Sequence, residues 1–184
     1  DTKHSKTVFK DNELEYQFKD KGYVVVDLNH QTLINKACTK LEQDLNKNIG
    51  LLKGLQNSSS NVSFHTTFLD KNKHYKELVI KNLSPLFSKI AIEFLNDYKI
   101  VQLNVFNKPP NSGFVSPHQN LTIVDEDFYT SLSIWIPLQD TNEKNGCLYF
   151  ANRGNKKFEK YRNPYIYWPP LKVSSIIDDY NMDP

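Results

Sequence analysis

Cysteine is scarce in this sequence, with two residues, Cys38 and Cys147, in a chain of 184. Two cysteines are too few for a disulfide framework or a cysteine-rich zinc site. Apolar runs are short as well, since none approaches the roughly 18 residues that cross a bilayer. A basic-then-apolar signal segment is also missing. These features argue against a disulfide-stapled or membrane-spanning class and predict a cytoplasmic protein.

Charge of one sign is not in excess either. Lys and Arg together number 23 and Asp and Glu number 21, so the formal net charge is +2. That balance produces no strong field for nucleic acid or a membrane surface, and we expect neither as a partner. Hydrophobic residues at 39%, with 12% aromatics, favour a folded globule over disorder. A chain of this length is predicted to form a single domain, residues 1–184, with its own core.

Helical patterns occupy the first half of the chain. Asn12 and Glu15 have the spacing of a capping box, and Gly22 is well placed to end the helix that they begin. A second amphipathic helix is predicted to end at Gly50. Patterns on either side of Pro85 predict two further helices. The apolar positions that recur along the second helix are Leu33, Ala37, Leu41, Leu45 and Ile49.

The apolar period changes to two from Lys99 onward, which is typical of strands. Strands are predicted at 23–26, 99–106 and 131–138, and Asn145-Gly146 is a strong hairpin signal. Helices first and antiparallel strands second predict an α+β fold with a mainly β core. Its sheet would be closed or sandwiched, with the helices packed on one outer face.

Polar residues interrupt the apolar faces of these strands at Gln102, Asn104 and Ser133. Two interpretations stay open. In a plain sandwich these side chains would form the face toward water. In a barrel they would line an interior that holds a polar ligand, and they would fix the orientation of that ligand.

His118 is the histidine with the most informative surroundings, because it stands just ahead of the strand-rich part in Pro117-His118-Gln119-Asn120. A His-x-Asp or His-x-Glu pair at a strand end places an imidazole and a carboxylate on the same side. With a distant second His, such a set binds non-haem iron(II) and leaves positions open for cosubstrate and oxygen. A lone His in a loop is more often a structural or surface residue, so His-x-Asn alone is a weak signal.

Several blocks of sequence carry a resemblance to a known family. The specific ones are 118–126, 131–142 and 145–148, with a matching opening strand at 22–26. The sequence resembles the phytanoyl-CoA dioxygenase family over about residues 11–165. The family implies a double-stranded β-helix, the cupin-like jelly roll, with the N-terminal helices on one face. It also implies iron(II) and 2-oxoglutarate as cofactors and hydroxylation of a small organic substrate.

By position in the resemblance, His118 corresponds to the first iron ligand and Asn120 to the carboxylate ligand. Asn120 departs from the family, because a neutral amide cannot balance the charge of iron(II) as a carboxylate does. Polar strand residues are the candidates for contacts with cosubstrate or substrate, and a tryptophan is the candidate for the pocket wall. These residues are Gln102, Asn104, Ser133 and Trp135.

Two more departures separate this chain from the family. Gly154-Asn155-Lys156 stands where the family has Gly-Ser-His, and no His follows His118 to serve as the distal iron ligand. The chain is therefore expected to be incomplete at its C-terminus. Two hypotheses follow. The protein is either part of an active iron(II)/2-oxoglutarate dioxygenase, or an inactive binding or scaffold relative that keeps the fold and has lost the metal.

Overall fold

Helices make up most of the regular structure among the residues that the structure describes. The computed structural model describes residues 7–46, 65–68, 70–108, 115, 118, 120, 124–125, 128–157 and 182–183. In chain order the elements are α1 (Asn12–Lys21), α2 (Gln31–Asn46), β1 (His65–Thr66), α3 (Lys73–Phe94), β2 (Phe106–Asn107), β3 (Phe150–Ala151), α4 (Gly154–Lys157) and β4 (Met182–Asp183). The chain divides into two compact units. The first comprises Asp1–Val26, Val115–Pro137 and Thr141–Pro184, and the second Asp27–Phe114 and Leu138–Asp140.

Helix α1, in the first unit, begins at an aspartate cap. Asp11 Oδ1 accepts hydrogen bonds from the backbone amides of Glu13 and Leu14, each at 2.9 Å. The capping box predicted on Asn12 and Glu15 is therefore wrong. The preceding residue caps the helix instead, because its carboxylate is a charged acceptor for the same unpaired amides.

Glu15 is a buried carboxylate that holds the segment before α1. Its Oε2 accepts from the backbone amides of Val8 and Phe9 at 2.8 Å each, and Lys19 Nζ lies 2.9 Å from Oε1. Burial raises the pKa of Glu15, but the bonds from the Phe9 amide, Lys19 and the Val8 amide outweigh it and leave the pKa lowered. The Phe9 ring also meets Phe18 edge-on, with ring centroids 5.4 Å apart.

Gly22 ends α1, as the sequence predicts. It has a φ of 87°, and its amide donates to Phe18 O at 2.8 Å, which is the geometry of a left-handed helix end. A Cβ atom at this position would lie 2.7 Å from Asn155 Cγ. Glycine is therefore required here both by the backbone conformation and by the close approach of Asn155.

Charged side chains join the end of α1 to the turn at α4. Asp20 Oδ2 accepts from Arg153 Nη2 at 3.0 Å, and Asp20 Oδ1 accepts from Lys156 Nζ at 2.7 Å. The Arg153 amide donates to Lys21 O at 3.0 Å, while Arg153 itself has a φ of 60°. Lys156 and Arg153 hold the pKa of Asp20 below its ordinary value. Because the two cations are exposed, these contacts orient the turn more than they stabilise it.

The core of the second unit is the packing of α2 against α3. Helix α2 buries Ile34, Ala37 and Leu41. The predicted stripe is thus confirmed at Ala37 and Leu41, whereas the predicted end at Gly50 lies outside the described residues. Helix α3 buries residues at helical spacing, which places them on one face. They are Tyr75, Leu78, Val79, Asn82, Leu83, Leu86, Ile90 and Ala91.

Helix α3 continues through Pro85, so the prediction of two separate helices is wrong. A proline in a helix interior removes one hydrogen bond and costs about 3 kcal/mol. Pro85 is exposed, whereas Leu83 and Leu86 are only 2% and 1% exposed. Each buried leucine contributes roughly 1.5–3 kcal/mol, so the apolar stripe outweighs the loss. Although α3 has 22 residues, it and the other described helices are not apolar enough to cross a membrane.

The strands of the described residues are short. β1 pairs antiparallel with β2, and β3 pairs antiparallel with β4. Thr67 extends the first pair, because its amide donates to Val105 O at 3.1 Å and the Val105 amide donates to Thr67 Oγ1 at 3.0 Å. The register places His65 opposite Asn107 and Phe150 opposite Asp183.

The longer strands predicted from the sequence do not form. Of the predicted strands at 23–26, 99–106 and 131–138, only Phe106 belongs to a strand. A strand needs a neighbouring backbone that completes its ladder of hydrogen bonds, and alternation of side chains does not supply one. The structure thus contains helices and short strand pairs, and the mainly β core stays a prediction.

Candidate functional site

The site residues predicted from the sequence divide between the two units. The first unit holds His118, Asn120, Ser133 and Trp135, and the second holds Gln102 and Asn104.

Asn120 and Ser133 are brought together directly. Asn120 Nδ2 donates to Ser133 Oγ at 3.0 Å, across 13 residues of sequence. Both residues are exposed. In a primary amide the oxygen carries the lone pairs and the nitrogen only donates, so Asn120 can ligate a cation through Oδ1 alone. The hydrogen bond to Ser133 uses Nδ2 and leaves Oδ1 outside it.

His118 precedes Asn120 by two positions and is also exposed. An imidazole nitrogen and an amide oxygen are both donor atoms that iron(II) accepts, so the two side chains fit this metal in donor type. Neither donor atom carries a negative charge, so the pair has one negative charge fewer than a His-carboxylate pair. In the part of the chain that the structure describes, no group of three or more His, Cys, Asp or Glu could hold a metal ion, either around His118 or elsewhere.

The segment that carries Ser133 is partly buried. Leu132 and Ile136 are half-buried, whereas Ser131, Ser133 and Trp135 are exposed. The alternation that the sequence predicts is present only in part, because Ile134 is exposed as well and the segment is not a strand. Ser133 and Trp135 are both exposed, and Trp135 retains 45% of its accessible surface.

Gln102 and Asn104, in the second unit, are exposed beside half-buried Leu103 and Val105. Gln102 lines an open groove of about 560 Å³ along the outer side of α3, and Asn104 is not among the lining residues. The helix contributes Ile80, Ser84, Ser88, Ala91 and Ile92 to that groove.

Thr67 and Tyr75 position the segment of Gln102 and Asn104, although no motif in the sequence marks them for this role. Thr67 Oγ1 donates to Tyr75 OH at 3.3 Å and accepts from the Val105 amide at 3.0 Å. Both residues are only 3% exposed, and burial raises the pKa of Tyr75. The sequence offered one signal for Thr67, namely that the pair Thr66-Thr67 stands shortly before Asn72, the residue that caps α3. Its partner across the strand is a tertiary contact that local patterns do not reveal.

Comparison with known proteins places this chain in a family. Residues 18–169 match the phytanoyl-CoA dioxygenase (PhyH) family. The match covers most of the chain, and the protein therefore belongs to the phytanoyl-CoA dioxygenase family. This confirms the resemblance that the blocks around His118 indicate.

Two relatives carry the same family name. The chain is 31% identical over 81 residues to "Phytanoyl-CoA dioxygenase 1" of Oryza sativa subsp. japonica, covering 44% of this chain and 28% of that protein. It is 30% identical over 78 residues to "Phytanoyl-CoA dioxygenase domain-containing protein 1" of Danio rerio, covering 36% of this chain and 27% of that protein. The chain thus spans little more than a quarter of the length of these relatives. No solved structure matches it.

Proposed function

We propose that this protein is an iron(II)- and 2-oxoglutarate-dependent dioxygenase-like protein with a jelly-roll core, acting on a small organic substrate. The observation that carries the proposal is the family match over residues 18–169. The hydrogen bond between Asn120 and Ser133 supports it, because it joins two of the blocks that resemble the family. A cytoplasmic location stays a prediction.

In this proposal His118 and Asn120 hold the metal, through an imidazole nitrogen and the amide oxygen Oδ1. Bound iron(II), together with 2-oxoglutarate and oxygen, would supply the oxidising power that hydroxylates an unactivated C–H bond. Polar side chains hold the cosubstrate or substrate, and an aromatic side chain forms the pocket wall. The residues of the first unit proposed for these roles are Ser133 and Trp135, whereas the roles of Gln102 and Asn104, in the second unit, stay predictions.

The amide at position 120 favours a second candidate function. A carboxylate attracts a divalent cation through its negative charge, whereas a neutral amide oxygen offers only its dipole. Asn120 in place of the family's carboxylate ligand therefore weakens the binding of a divalent cation. A non-catalytic binding or scaffold relative of the same family is therefore the alternative.

The variant Asn120→Asp distinguishes the two functions. We expect it to bind iron(II) about tenfold or more tightly than the wild type, a difference of about 1.4 kcal/mol, because the added charge faces the cation. The measurement is an anaerobic iron(II) titration with 2-oxoglutarate, followed by the metal-to-ligand absorption band, together with 2-oxoglutarate consumption in air. The matched control is Asn35→Asp, an exposed residue of α2 that gains the same charge in the other unit.

The outcomes separate clearly. Consumption of 2-oxoglutarate by the wild type supports a working dioxygenase. Consumption of 2-oxoglutarate by Asn120→Asp but not by the wild type shows that the wild type lacks only the negative charge of the carboxylate ligand. If neither protein develops the absorption band, the iron-dependent function is wrong and the scaffold candidate replaces it.

A further inference from the structure

Ser133 is the described partner of the side chain at the proposed ligand position. The contact is a hydrogen bond of 3.0 Å between two exposed residues far apart in sequence. An exposed asparagine without such a partner samples several side-chain rotamers. The hydrogen bond from Nδ2 restricts the Asn120 side chain to rotamers in which Oδ1 points away from Ser133.

The segment that carries Ser133 is only partly covered. Leu132 and Ile136 are half-buried, whereas Ser133 and its neighbour Ile134 are exposed. The hydroxyl of Ser133 is thus accessible to the amide of Asn120.

We infer that Ser133 is a positioning residue for position 120. It holds the Asn120 amide by Nδ2 and so presents Oδ1 to a divalent cation bound with His118. This inference rests on the proposed function. A hydroxyl both accepts and donates, so Ser133 can accept from the amide of Asn120 and equally donate to a carboxylate at the same position. Position 120 can therefore be asparagine or aspartate without a change in its neighbour.

Ser133→Ala tests the inference, with Mn(II) as a paramagnetic probe of the cation site. A net hydrogen bond of about 0.5–1.5 kcal/mol corresponds to roughly a two- to tenfold change in affinity. We expect Ser133→Ala to weaken Mn(II) binding by that factor in the wild type and in Asn120→Asp alike. Ser133→Thr keeps the hydroxyl and should bind Mn(II) like the wild type. Ser131→Ala removes a hydroxyl from another exposed residue of the same segment and should have no effect.

The readout is the side-chain amide resonance of Asn120 in ¹H–¹⁵N NMR spectra of the full chain, identified by its loss in Asn120→Asp. Without metal, we expect Ser133→Ala to shift this resonance and Ser133→Thr to preserve it. With increasing Mn(II), paramagnetic broadening of the same resonance reports the affinity. In Asn120→Asp, broadening of the His118 ring resonances reports it instead.

Three results would overturn the inference. If Ser133→Ala leaves the amide resonance unshifted, the hydrogen bond does not order Asn120. If the resonance shifts but Mn(II) binding is unchanged, Ser133 does not position a ligand, while the proposed metal site stands. If Mn(II) broadens nothing in the wild type or in Asn120→Asp, the metal site fails and the positioning role fails with it.

Discussion

Glu15 joins the N-terminal segment to helix α1 through a single oxygen atom. Its Oε2 accepts from two successive backbone amides, and the side chain is buried. An unpaired buried amide is costly, so the carboxylate stabilises the fold by satisfying both at once. A small chemical change at Glu15 should therefore have a measurable effect on the free energy of unfolding.

Glu15→Gln should lower the free energy of unfolding by about 1–3 kcal/mol at neutral pH, because the neutral amide is a weaker acceptor for two donors. The pKa of Glu15 is lower in the folded protein than its ordinary value of 4.5. Its contribution is thus complete above 4.5 and is lost as the pH falls through the lower, folded pKa. Urea denaturation of both proteins at neutral and acidic pH measures the difference.

Glu13→Gln is the matched control, since Glu13 is exposed in the same helical turn. Its effect on stability should be small, because water can replace the contacts of an exposed side chain. An equal loss of stability in the two variants would contradict the role assigned to Glu15.

Local chemistry explains which single residues the sequence could identify. Gly22 was predictable as a helix end because left-handed backbone is a property of glycine itself. The partners of Glu15 were not, since Glu13 and Glu15 have the same helix propensity and differ only in burial. His118 and Asn120 could be identified by a motif, but the contact of Asn120 with Ser133 spans 13 residues and depends on tertiary structure.

Helix α3 shows how packing overrides propensity at the scale of an element. Its buried stripe continues on both sides of Pro85, while the proline ring faces outward. The stripe could be predicted from residue spacing. Its continuity could not, because the sequence shows the cost of the proline but not the apolar surface that offsets it.

Pro85→Ala should raise the free energy of unfolding by about 1–3 kcal/mol, since it restores one helical amide and leaves no cavity at an exposed position. Denaturant unfolding followed by circular dichroism measures the change. Pro137→Ala, at an exposed proline outside the helices, is the control and should be neutral or slightly destabilising. A loss of stability in Pro85→Ala would show that the proline is preferred at this place.

The whole molecule distributes its buried apolar side chains unevenly. Among the described residues of the first unit, the buried apolar ones are Val8 and Phe9. The second unit buries the stripes of α2 and α3. Large side chains of the first unit, such as Phe128 at 79% and Tyr129 at 67%, are instead exposed. Composition predicted a folded globule, but it could not predict this division, which depends on which segments pack.

Amide hydrogen exchange should reveal this difference. We expect the slowest exchange in the middle of α3, around Leu83 and Leu86, and fast exchange over 131–138, because opening is easiest where little apolar surface is buried. Leu86→Ala should speed exchange throughout α2 and α3. The control Ile92→Ala, at a residue of α3 that is 71% exposed, should not. Comparable protection of 131–138 and α3 would contradict this expectation.

Gly22 limits how the corner after α1 can evolve. Any other residue there would face an unfavourable backbone conformation and, separately, a collision with Asn155. Alanine at 155 would remove the contacts with Cγ and Oδ1, but its own Cβ would still lie 2.9 Å away and the conformational cost would stay. The corner can therefore accept a substitution at residue 155 more readily than one at Gly22.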